Sequence, residues 1–582
     1  MTKIAAVDFE TFYDKDTIYS LKSMPPDLYC RDERFDPYLV SIVSNTGVRW
    51  VGDPIDAPWH GIDGYTWVSH NANFDRHVYR AWCGNDYKNW QCSANAAAYR
   101  QLPRALDKAA KVCLGREVDK SARANMKGKH WADISVDEQN VMRDYALKDS
   151  DTCLDLYNDL VPDWPEREQY LSREGIESGI YGVCVDEDLV ESGLTKLRTI
   201  RGSAIKEIPW AERDKKGNMV VASGVMLAKY CRQQGIVPPE STADGDPSFE
   251  RWMDVYGADH PCVAALGRWR RSNRAIRILE GIEARVREDG TIAFNLKYYG
   301  ASATGRWSGD AKLNMQNLPR KPVFGVDVRR CFVARPGKQL ILADLSQIEP
   351  RCLAVLTGQT EALDAMRKGM SPYEIHARMT MGYTDSRPLK EVDPDKYLYA
   401  KVRVLGLGYQ CGGDRFQSVA HSFGLELDNA ESHRVVKEFR HSNPAITQYW
   451  RGLDSAFKHH RGQNWGLTLP SGRAIKYYDI ASHKYWSAAI TKGDTHRSFY
   501  GGKLCENSVQ GLARDVFADV YWRVSQAGFR VLWSVHDELI IEVDEDDASA
   551  ADAVKHIMSQ SPEWLPELPL SVDIGVSKCY KK

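Results

Sequence analysis

The chain has 582 residues, 43% hydrophobic and 27% charged, which excludes a disordered chain and predicts several domains of roughly 100–200 residues each. Its formal net charge of −2 does not exclude a nucleic acid partner, because acidic metal sites and basic tracks cancel in the total. Thirteen cysteines without a CxxC pair argue against a disulfide framework or a structural zinc module.

Residues 1–160 mix short β-like runs with helix-like stretches, which predicts an α/β domain. The strand-like runs are Ile4–Val7, Tyr38–Val43 and Thr66–Val68, and the clearest helical stretch is Leu106–Cys113. Asp8 and Glu10 follow the first run, and residues two apart on a strand point to the same face. Two adjacent carboxylates repel unless a cation neutralises them, and oxygen ligands suit Mg²⁺ or Mn²⁺.

Two later segments add to this acidic pair. Asp75 opens a helix-like stretch after the third run, while Tyr145 and Asp149 have the i, i+4 spacing of one helix face. Each segment alone has an ordinary interpretation as a surface charge or a plain helix. In this order, the three segments resemble the DEDD 3′→5′ exonucleases of the subgroup with tyrosine in the last motif. The resemblance implies that four carboxylates hold two divalent metals, with Tyr145 orienting the attacking water: Asp8, Glu10, Asp75 and Asp149.

Residues 165–290 are predicted to be mainly helical, and they carry a run of five arginines between Arg268 and Arg277. Such a run is usually a solvated helix face, and a grip on a DNA backbone is the alternative if its neighbours bind DNA.

A second acidic group lies beyond residue 291. Leu340–Ala343 reads as a buried strand that runs directly into Asp344. Val531–Val535 runs into His536-Asp537-Glu538 and a further apolar run, which predicts a β-hairpin with its acidic residues at the turn. Between the two strands, a mostly helical block is expected.

Within that block, a helix would place Lys401, Leu405 and Tyr409 on one face, at i, i+4 and i+8. The Lys401 ammonium could contact the phosphates of a nucleotide, and the Tyr409 ring could stack on its base pair. The simpler interpretation is that the helix ends in this segment, because Gly406 and Gly408 both weaken a helix.

These segments resemble motifs A, B and C of the family A DNA polymerases, in order, and the resemblance extends over essentially the whole chain. Motif A is Asp344 to Glu349, motif B runs from Lys401 to Tyr409, and motif C is His536 to Glu538. Further matches are Thr304-Gly305-Arg306, the stretch 314–319, and Asn507 to Gln510. Phage-type members and the large fragment of bacterial DNA polymerase I are the most similar, so no 5′ nuclease domain is expected.

The resemblance implies an α/β and α+β multidomain architecture, an RNase H-like exonuclease domain followed by a right-hand polymerase. The expected boundaries are exonuclease 1–160, thumb 165–295, first palm part 296–357, fingers 358–495 and second palm part 496–582.

Site roles follow from the same resemblance. Asp344, Asp537 and the carbonyl of Leu345 would bind two Mg²⁺ ions, for which Mn²⁺ can substitute. Lys401 would contact the triphosphate and Glu349 would exclude a ribose hydroxyl. The remaining expected positions lie around the nascent pair and the primer end: Tyr409, Arg306, Gln510, His536 and, beside the metals, Glu538.

Three positions depart from the family pattern: Leu345 and Leu405 replace aromatic residues, and Tyr397 replaces an arginine. Because Leu405 has no hydroxyl to replace a missing sugar 3′-hydroxyl, poor use of dideoxynucleotides is expected.

The expected partners are primer–template DNA, dNTPs and a single-stranded DNA 3′-end at the exonuclease site, with a processivity factor or other replication proteins left open. The chain has no apolar run that approaches the ~20 residues of a membrane span, and its N-terminus lacks a signal-peptide pattern. We therefore expect a cytoplasmic protein without a membrane partner. If the protein is viral, the expected location is the host cytoplasm. Two alternatives remain: an exonuclease with a decayed polymerase domain, and a non-catalytic primer–template binding protein.

Overall fold

A computed structural model of the protein describes residues 2–213, 219–221, 223–243, 246–310 and 312–581. The first 160 residues form a mixed sheet covered by helices. Its strands are β1 (Ile4–Thr11), β2 (Pro37–Ser44), β3 (Arg49–Gly52), β4 (Thr66–Ser69) and β5 (Trp90–Cys92). The helices are α1 (Pro26–Arg31), α2 (Ala72–Cys83), α3 (Ser93–Tyr99), α4 (Leu106–Leu114), α5 (Ser121–Asn125) and α6 (Val136–Leu160). This architecture confirms the expected α/β character.

The strand order is β3-β2-β1-β4-β5, which places β1 at the centre of the sheet. Strand β2 is antiparallel to β1, and β4 is parallel to it. A central strand is covered on both faces, and seven of the eight β1 residues are buried. Helix α6 begins with a capping box between Ser135 and Glu138 and packs across β1 and β2.

The next segment is mainly helical, as the sequence predicts. Its elements are α7 (Glu166–Tyr181), β6 (Val183–Val185), α8 (Glu187–Lys206), β7 (Glu212–Arg213), β8 (Met219–Val220), α9 (Gly224–Gln234), α10 (Pro247–Gly257) and α11 (Pro261–Glu283). The arginine run lies on α11 and is largely engaged within the protein. Arg268 pairs with Glu207 at 2.6 Å, and Arg270 lies over the Phe249 ring at 4.1 Å from its centroid.

Short strands then lead into a second sheet. They are β9 (Thr291–Ile292), β10 (Leu296–Lys297), β11 (Ser308–Gly309) and β12 (Phe332–Val333), followed by β13 (Lys338–Leu345). Helices α12 (Ile348–Leu356), α13 (Thr360–Arg367), α14 (Pro372–Thr380), α15 (Leu389–Val392), α16 (Pro394–Leu407), α17 (Gly413–Ser422), α18 (Asn429–Ser442) and α19 (Pro444–His459) follow.

The expected helical block is interrupted by a four-stranded antiparallel sheet. It contains β14 (Trp465–Thr468), β15 (Ala474–Ser482), β16 (Trp486–Ala489) and β17 (Arg497–Ser498). Gln101 docks the first unit on this sheet. Its amide donates to the carbonyls of Lys476 and Ile490 at 3.1 and 2.9 Å, and its Oε1 accepts from the Lys476 amide at 2.7 Å.

The chain closes with α20 (Gly501–Gln526), β18 (Arg530–Val535), β19 (Glu538–Asp544), α21 (Ala550–Ser559) and β20 (Val572–Ser577). Strands β18, β19, β13 and β20 form one antiparallel sheet in that order, with β18 and β19 as the predicted hairpin. Helices α12 and α20 pack together beside it. No described helix combines the length and the apolar character that a bilayer crossing requires.

Candidate functional site

Acidic side chains line up across three neighbouring strands of the second sheet. Asp344, near the end of β13, is paired in register with Glu538 on β19 and with Asp573 on β20. Directly paired residues of neighbouring strands share one face of a sheet, so these three carboxylates form a row. Asp537 lies in the hairpin turn at the end of this row, and its carbonyl accepts a hydrogen bond from the Leu345 amide at 3.0 Å.

The hairpin turn is held by Gln316, from the stretch 314–319. The Gln316 amide donates to the Ser534 carbonyl at 2.8 Å, and its Oε1 accepts from the His536 amide at 2.7 Å. His536 has a φ of 55°, an uncommon conformation for a residue with a Cβ. Gln316 is buried and therefore fixes the backbone that presents Asp537.

A cavity of about 590 Å³ opens over the acidic row. Its acidic lining residues are Asp344, Glu349, Asp537, Glu538 and Asp573. Its basic lining residues are Arg306, Arg320, Arg329, Lys390 and Lys401. Opposite charges in one open cavity suit a ligand that brings both phosphates and metal ions.

Glu349 links two other predicted residues at the rim of this cavity. Arg306 donates to Glu349 Oε1 at 2.6 Å, and the Tyr409 hydroxyl donates to Oε2 at 2.9 Å. Burial alone would lower the pKa of Arg306, but the carboxylates of Asp537 and Glu349 raise it above its usual range. The buried Nε of Arg306 has no hydrogen-bond partner among the described residues.

The predicted nucleotide helix is shorter than expected. Helix α16 ends at Leu407, so Tyr409 lies beyond it, and Gly408 forms the helix end that the glycines favour. Lys401 lines the cavity, whereas Leu405 packs into an apolar cluster with Tyr373 and Tyr397, which do line it. The expectation that the three residues share one helical face was therefore wrong for Tyr409, although its hydroxyl still reaches Glu349.

Gln510 lies on α20, a helix that is buried over most of its length. Its amide lies 3.4 Å from the Glu506 carboxylate of the same helix, and the neighbouring Asn507 donates to the Tyr477 hydroxyl at 3.0 Å. Gln510 is half-buried, so part of its side chain remains exposed.

The first unit contains a separate acidic cluster at the centre of its sheet. Asp8 and Glu10 lie on β1, Asp75 in the first turn of α2, and Asp149 on α6. Burial, followed by the charges of Glu10, Asp75 and Asp149, raises the pKa of Asp8 well above its usual range. Burial also raises the pKa values of Glu10 and Asp75, each to about 7. The four carboxylates thus lie close enough to repel one another when they are ionised, and a bound cation would offset this repulsion.

Tyr145 and Arg123 complete this cluster. Tyr145 lies one helical turn before Asp149 on α6, where burial and the charges of Glu10 and Asp149 raise the pKa of its hydroxyl. The Arg123 guanidinium lies 3.9 Å from Glu10 and is the nearest cation to the carboxylates. The charge of Glu10 is the main cause of the raised pKa of Arg123.

The donor chemistry of the cluster fits a hard divalent cation, since every candidate ligand is a carboxylate oxygen. Oδ1 of Asp149 is buried and has no hydrogen-bond partner in the described ranges. Across those ranges, however, no three Asp, Glu, His or Cys side chains are already arranged to hold an ion.

Several charged residues near these sites were not identified from the sequence: Arg320, Arg329, Lys390 and Asp573 at the cavity, and Arg123 beside the acidic cluster. Asp573 carries no local motif, and only the strand register places it beside Asp344. Arg123 lies on a five-residue helix with no feature that sets it apart from other surface arginines. The alternation of Val572, Asp573 and Ile574 at the start of β20 was the one signal that could have indicated that Asp573 shares a sheet face with other polar residues.

Comparison with known proteins agrees with this arrangement. Residues 221–582 match the family described as DNA polymerase family A. The DNA polymerase of Bacillus phage SP02 is 25% identical, with 88% of this chain and 89% of that protein aligned. The thermostable DNA polymerase I of Thermus filiformis is 29% identical over 48% of this chain, and the match covers 31% of that longer protein.

A solved structure shares the whole fold. The polymerase domain of Pol1 from M. smegmatis, in complex with DNA primer–template and dNTP, superposes with a TM-score of 0.71 at 20% identity. The alignment covers 100% of this chain and 95% of that one. The chain therefore has the fold of a polymerase domain. The chain belongs to DNA polymerase family A.

Proposed function

We propose that this DNA polymerase extends primer 3′-ends with deoxynucleotides in the cavity over Asp344 and removes misplaced nucleotides with its N-terminal unit. The carboxylate row across β19, β13 and β20 carries the first half of the proposal. The buried carboxylates around Asp8 carry the second half. The Pol1 structure was solved with a DNA primer–template and a dNTP, which supports the same partners here.

In the polymerase cavity, Asp344, Asp537 and the Leu345 carbonyl would hold two Mg²⁺ ions. When bound, the ions would supply the charge neutralisation that activates the 3′-hydroxyl and stabilises pyrophosphate. Lys401 lies on the cavity wall, where its ammonium contacts the triphosphate and donates a proton to the leaving oxygen. Glu538 accepts from the Tyr580 hydroxyl at 3.0 Å, which keeps its carboxylate within the row.

The remaining polymerase residues would hold the nascent pair. Glu349 is fixed by Arg306 and Tyr409 and therefore forms a rigid wall beside the sugar, which excludes a ribose hydroxyl. Arg306, which lines the cavity, and the amide of Gln510 contact the minor-groove side of the primer end, where correct pairs present similar acceptors. His536 supports the primer terminus from the hairpin turn.

In the N-terminal unit, Asp8, Glu10, Asp75 and Asp149 would hold two divalent ions, and Tyr145 would orient the attacking water. When bound, the ions would stabilise the attacking and leaving oxygens of phosphodiester hydrolysis. The β3-β2-β1-β4-β5 order supports an RNase H-like fold for this unit. The substrate is then a single-stranded DNA 3′-end.

The proposed domains keep their expected boundaries. The exonuclease covers 1–160, the thumb 165–295, the palm 296–357 and 496–582, and the fingers 358–495. Strands β14, β15 and β16 fall at the end of the proposed fingers and β17 just beyond residue 495, and their sheet forms the surface on which the exonuclease unit docks. The proposal includes a role in phage or bacterial DNA replication.

Primer extension with mixed dNTPs and Mg²⁺ tests the polymerase assignment. We expect the wild-type protein to extend a primed template and Asp344→Ala to lose extension while still digesting single-stranded 3′-ends. Asp8→Ala with Glu10→Ala should show the opposite pattern. A wild-type protein that digests but never extends would reject the polymerase half. Loss of both activities in either variant would reject the two-site arrangement.

A further inference from the structure

The loop that carries Arg306 is held from behind by two buried arginines. Arg473 donates from Nη2 to the Thr304 carbonyl at 3.0 Å, and Arg514 donates from Nε to the Gly305 carbonyl at 3.0 Å. Thr304 and Gly305 immediately precede Arg306. Both guanidinium groups therefore hold the backbone of this loop, and neither of them lines the cavity.

Each arginine is neutralised by its own buried carboxylate. Arg514 forms a two-pronged pair with Glu168, with both N–O distances at 2.6 Å, and both side chains are at most 2% exposed. Arg473 pairs with Asp515 at 2.7 Å. The Tyr298 hydroxyl donates to Glu168 at 2.7 Å. A buried charge pair of this kind contributes little net stability but fixes geometry when every polar group is satisfied.

The backbone at Gly305 leaves no room for adjustment. Its φ is 81°, and an added Cβ would come within 2.6 Å of the Tyr299 ring. The Tyr299 hydroxyl accepts from Arg473 at 2.7 Å. The same ion-paired network therefore determines both the position of the carbonyl and the ring that confines the loop.

We propose that Arg514 is a positioning residue for nucleotide addition: by holding the Gly305 carbonyl it directs Arg306 toward Glu349 and the primer end. This inference rests on the role proposed above for Arg306. Glu168 lies on α7, just after the N-terminal unit, so the network also ties the chain that leaves this unit to the polymerase cavity.

The experiment must distinguish the positioning of Arg306 by Arg514 from the destabilisation that an unpaired buried charge would cause. Replacing both partners, as Arg514→Met with Glu168→Met, removes the contact to Gly305 without leaving an unpaired charge. Arg523→Met is the matched control, because Arg523 lies on the same helix and pairs with Asp519 at 2.9 Å but donates to the distant carbonyls of Ile557 and Gln560. Single-nucleotide addition is measured on a primer with a nuclease-resistant phosphorothioate 3′-linkage, and folding is followed by circular dichroism and melting.

We expect the double variant to lose about tenfold in kcat/KM and the control to retain it. Combined with Arg306→Ala, the double variant should cause no further loss, because Arg514 acts through Arg306. Unchanged addition, or an equal further loss in the Arg306→Ala background, would overturn the inference. If Arg306→Ala alone extends primers normally, the proposed role of Arg306 fails instead.

A second variant decides the question if the double variant does not fold. Arg514→Lys keeps a positive charge beside Glu168 but lacks the fork that also reaches Gly305. A folded Arg514→Lys protein should show the same loss in kcat/KM, dependent on Arg306. Full activity of this variant would overturn the inference.

Discussion

Asp344 and Asp573 face each other on neighbouring antiparallel strands, one near the end of β13 and the other at the second residue of β20. Like charges directly opposite each other destabilise a sheet unless a cation offsets them. With Glu538 on the other side of Asp344, the sheet carries three acidic residues in one cross-strand row. The strand pairing itself thus produces a site that needs positive charge.

Asp573→Asn should weaken the response of primer extension to Mg²⁺, because the substitution keeps the shape of the side chain and removes one charge beside Asp344. We expect the Mg²⁺ concentration for half-maximal extension to rise by about tenfold, the lower end of the effect typical for residues next to metal ligands. Titration of Mg²⁺ in a primer-extension assay measures this. Asp544→Asn is the control, since Asp544 ends β19 away from the cavity and pairs with exposed Lys338. An equal response in both variants would contradict the prediction.

Arg123→Met should destabilise the N-terminal unit chiefly when divalent ions are absent. Arg123 is the nearest cation to four mutually repelling carboxylates, and a bound divalent ion would take over its role. The melting temperature is measured in EDTA and in Mg²⁺. We expect Arg123→Met to melt several degrees below the wild-type protein in EDTA, and the difference between the two proteins to be smaller in Mg²⁺. Arg116→Met is the control. It breaks the exposed pair with Asp155, and its change in melting temperature should be the same in EDTA and in Mg²⁺. A drop in Arg123→Met that is independent of Mg²⁺ would count against a metal site.

Glu168 should make the stability of the protein depend on acid pH. Burial raises the pKa of Glu168, but the Arg514 guanidinium outweighs it and brings the value to about 2. A carboxyl group whose folded pKa lies below its unfolded value stabilises the fold above the unfolded pKa, near 4.5, and this stability is lost as the pH falls toward 2.

Glu168→Gln should therefore lower the free energy of unfolding by roughly 3–5 kcal/mol near pH 7, because Arg514 is left buried without its partner. The difference from wild type should shrink between pH 4.5 and about 2. Denaturant unfolding at a series of pH values measures it. Glu138→Gln is the comparison, since the pKa of Glu138 is also lowered to about 2 but the group is exposed. Equal effects of the two substitutions would show that burial of the pair is unimportant.

Leu405→Tyr should improve the use of dideoxynucleotides. Leu405 offers no hydroxyl to replace the missing 3′-hydroxyl of the sugar, and it packs beside Tyr373 and Tyr397 at the cavity wall. We expect the ratio of kcat/KM for dideoxy over deoxy substrates to rise by at least about tenfold. Leu405→Phe, which adds the ring without the hydroxyl, is the matched control. Equal use of both substrates by the wild-type protein would refute the prediction.

Several elements could be predicted because they depend on local patterns. The strands that lead to Asp8, Asp344 and Asp537 have short apolar runs that end at the carboxylates, and the structure places strands there. Helix α16 ends at Leu407, in agreement with the helix end that Gly406 and Gly408 favour, so Tyr409 lies beyond the helical face that it was expected to share with Lys401. The sheet β14–β17 was missed, since its strands are separated by turns of differing length and polarity.

The sequence by itself determined which carboxylates and which lysine are candidates for chemistry, because each stands in a short motif on a strand, a helix or a turn that neighbouring residues specify. Only the tertiary structure decided what surrounds them. Asp573 faces Asp344 through strand register, and Arg123 approaches Glu10 across the N-terminal unit. The Arg514–Glu168 pair joins residues 346 positions apart. Such contacts depend on how separate elements pack, and no local pattern of residues encodes that packing.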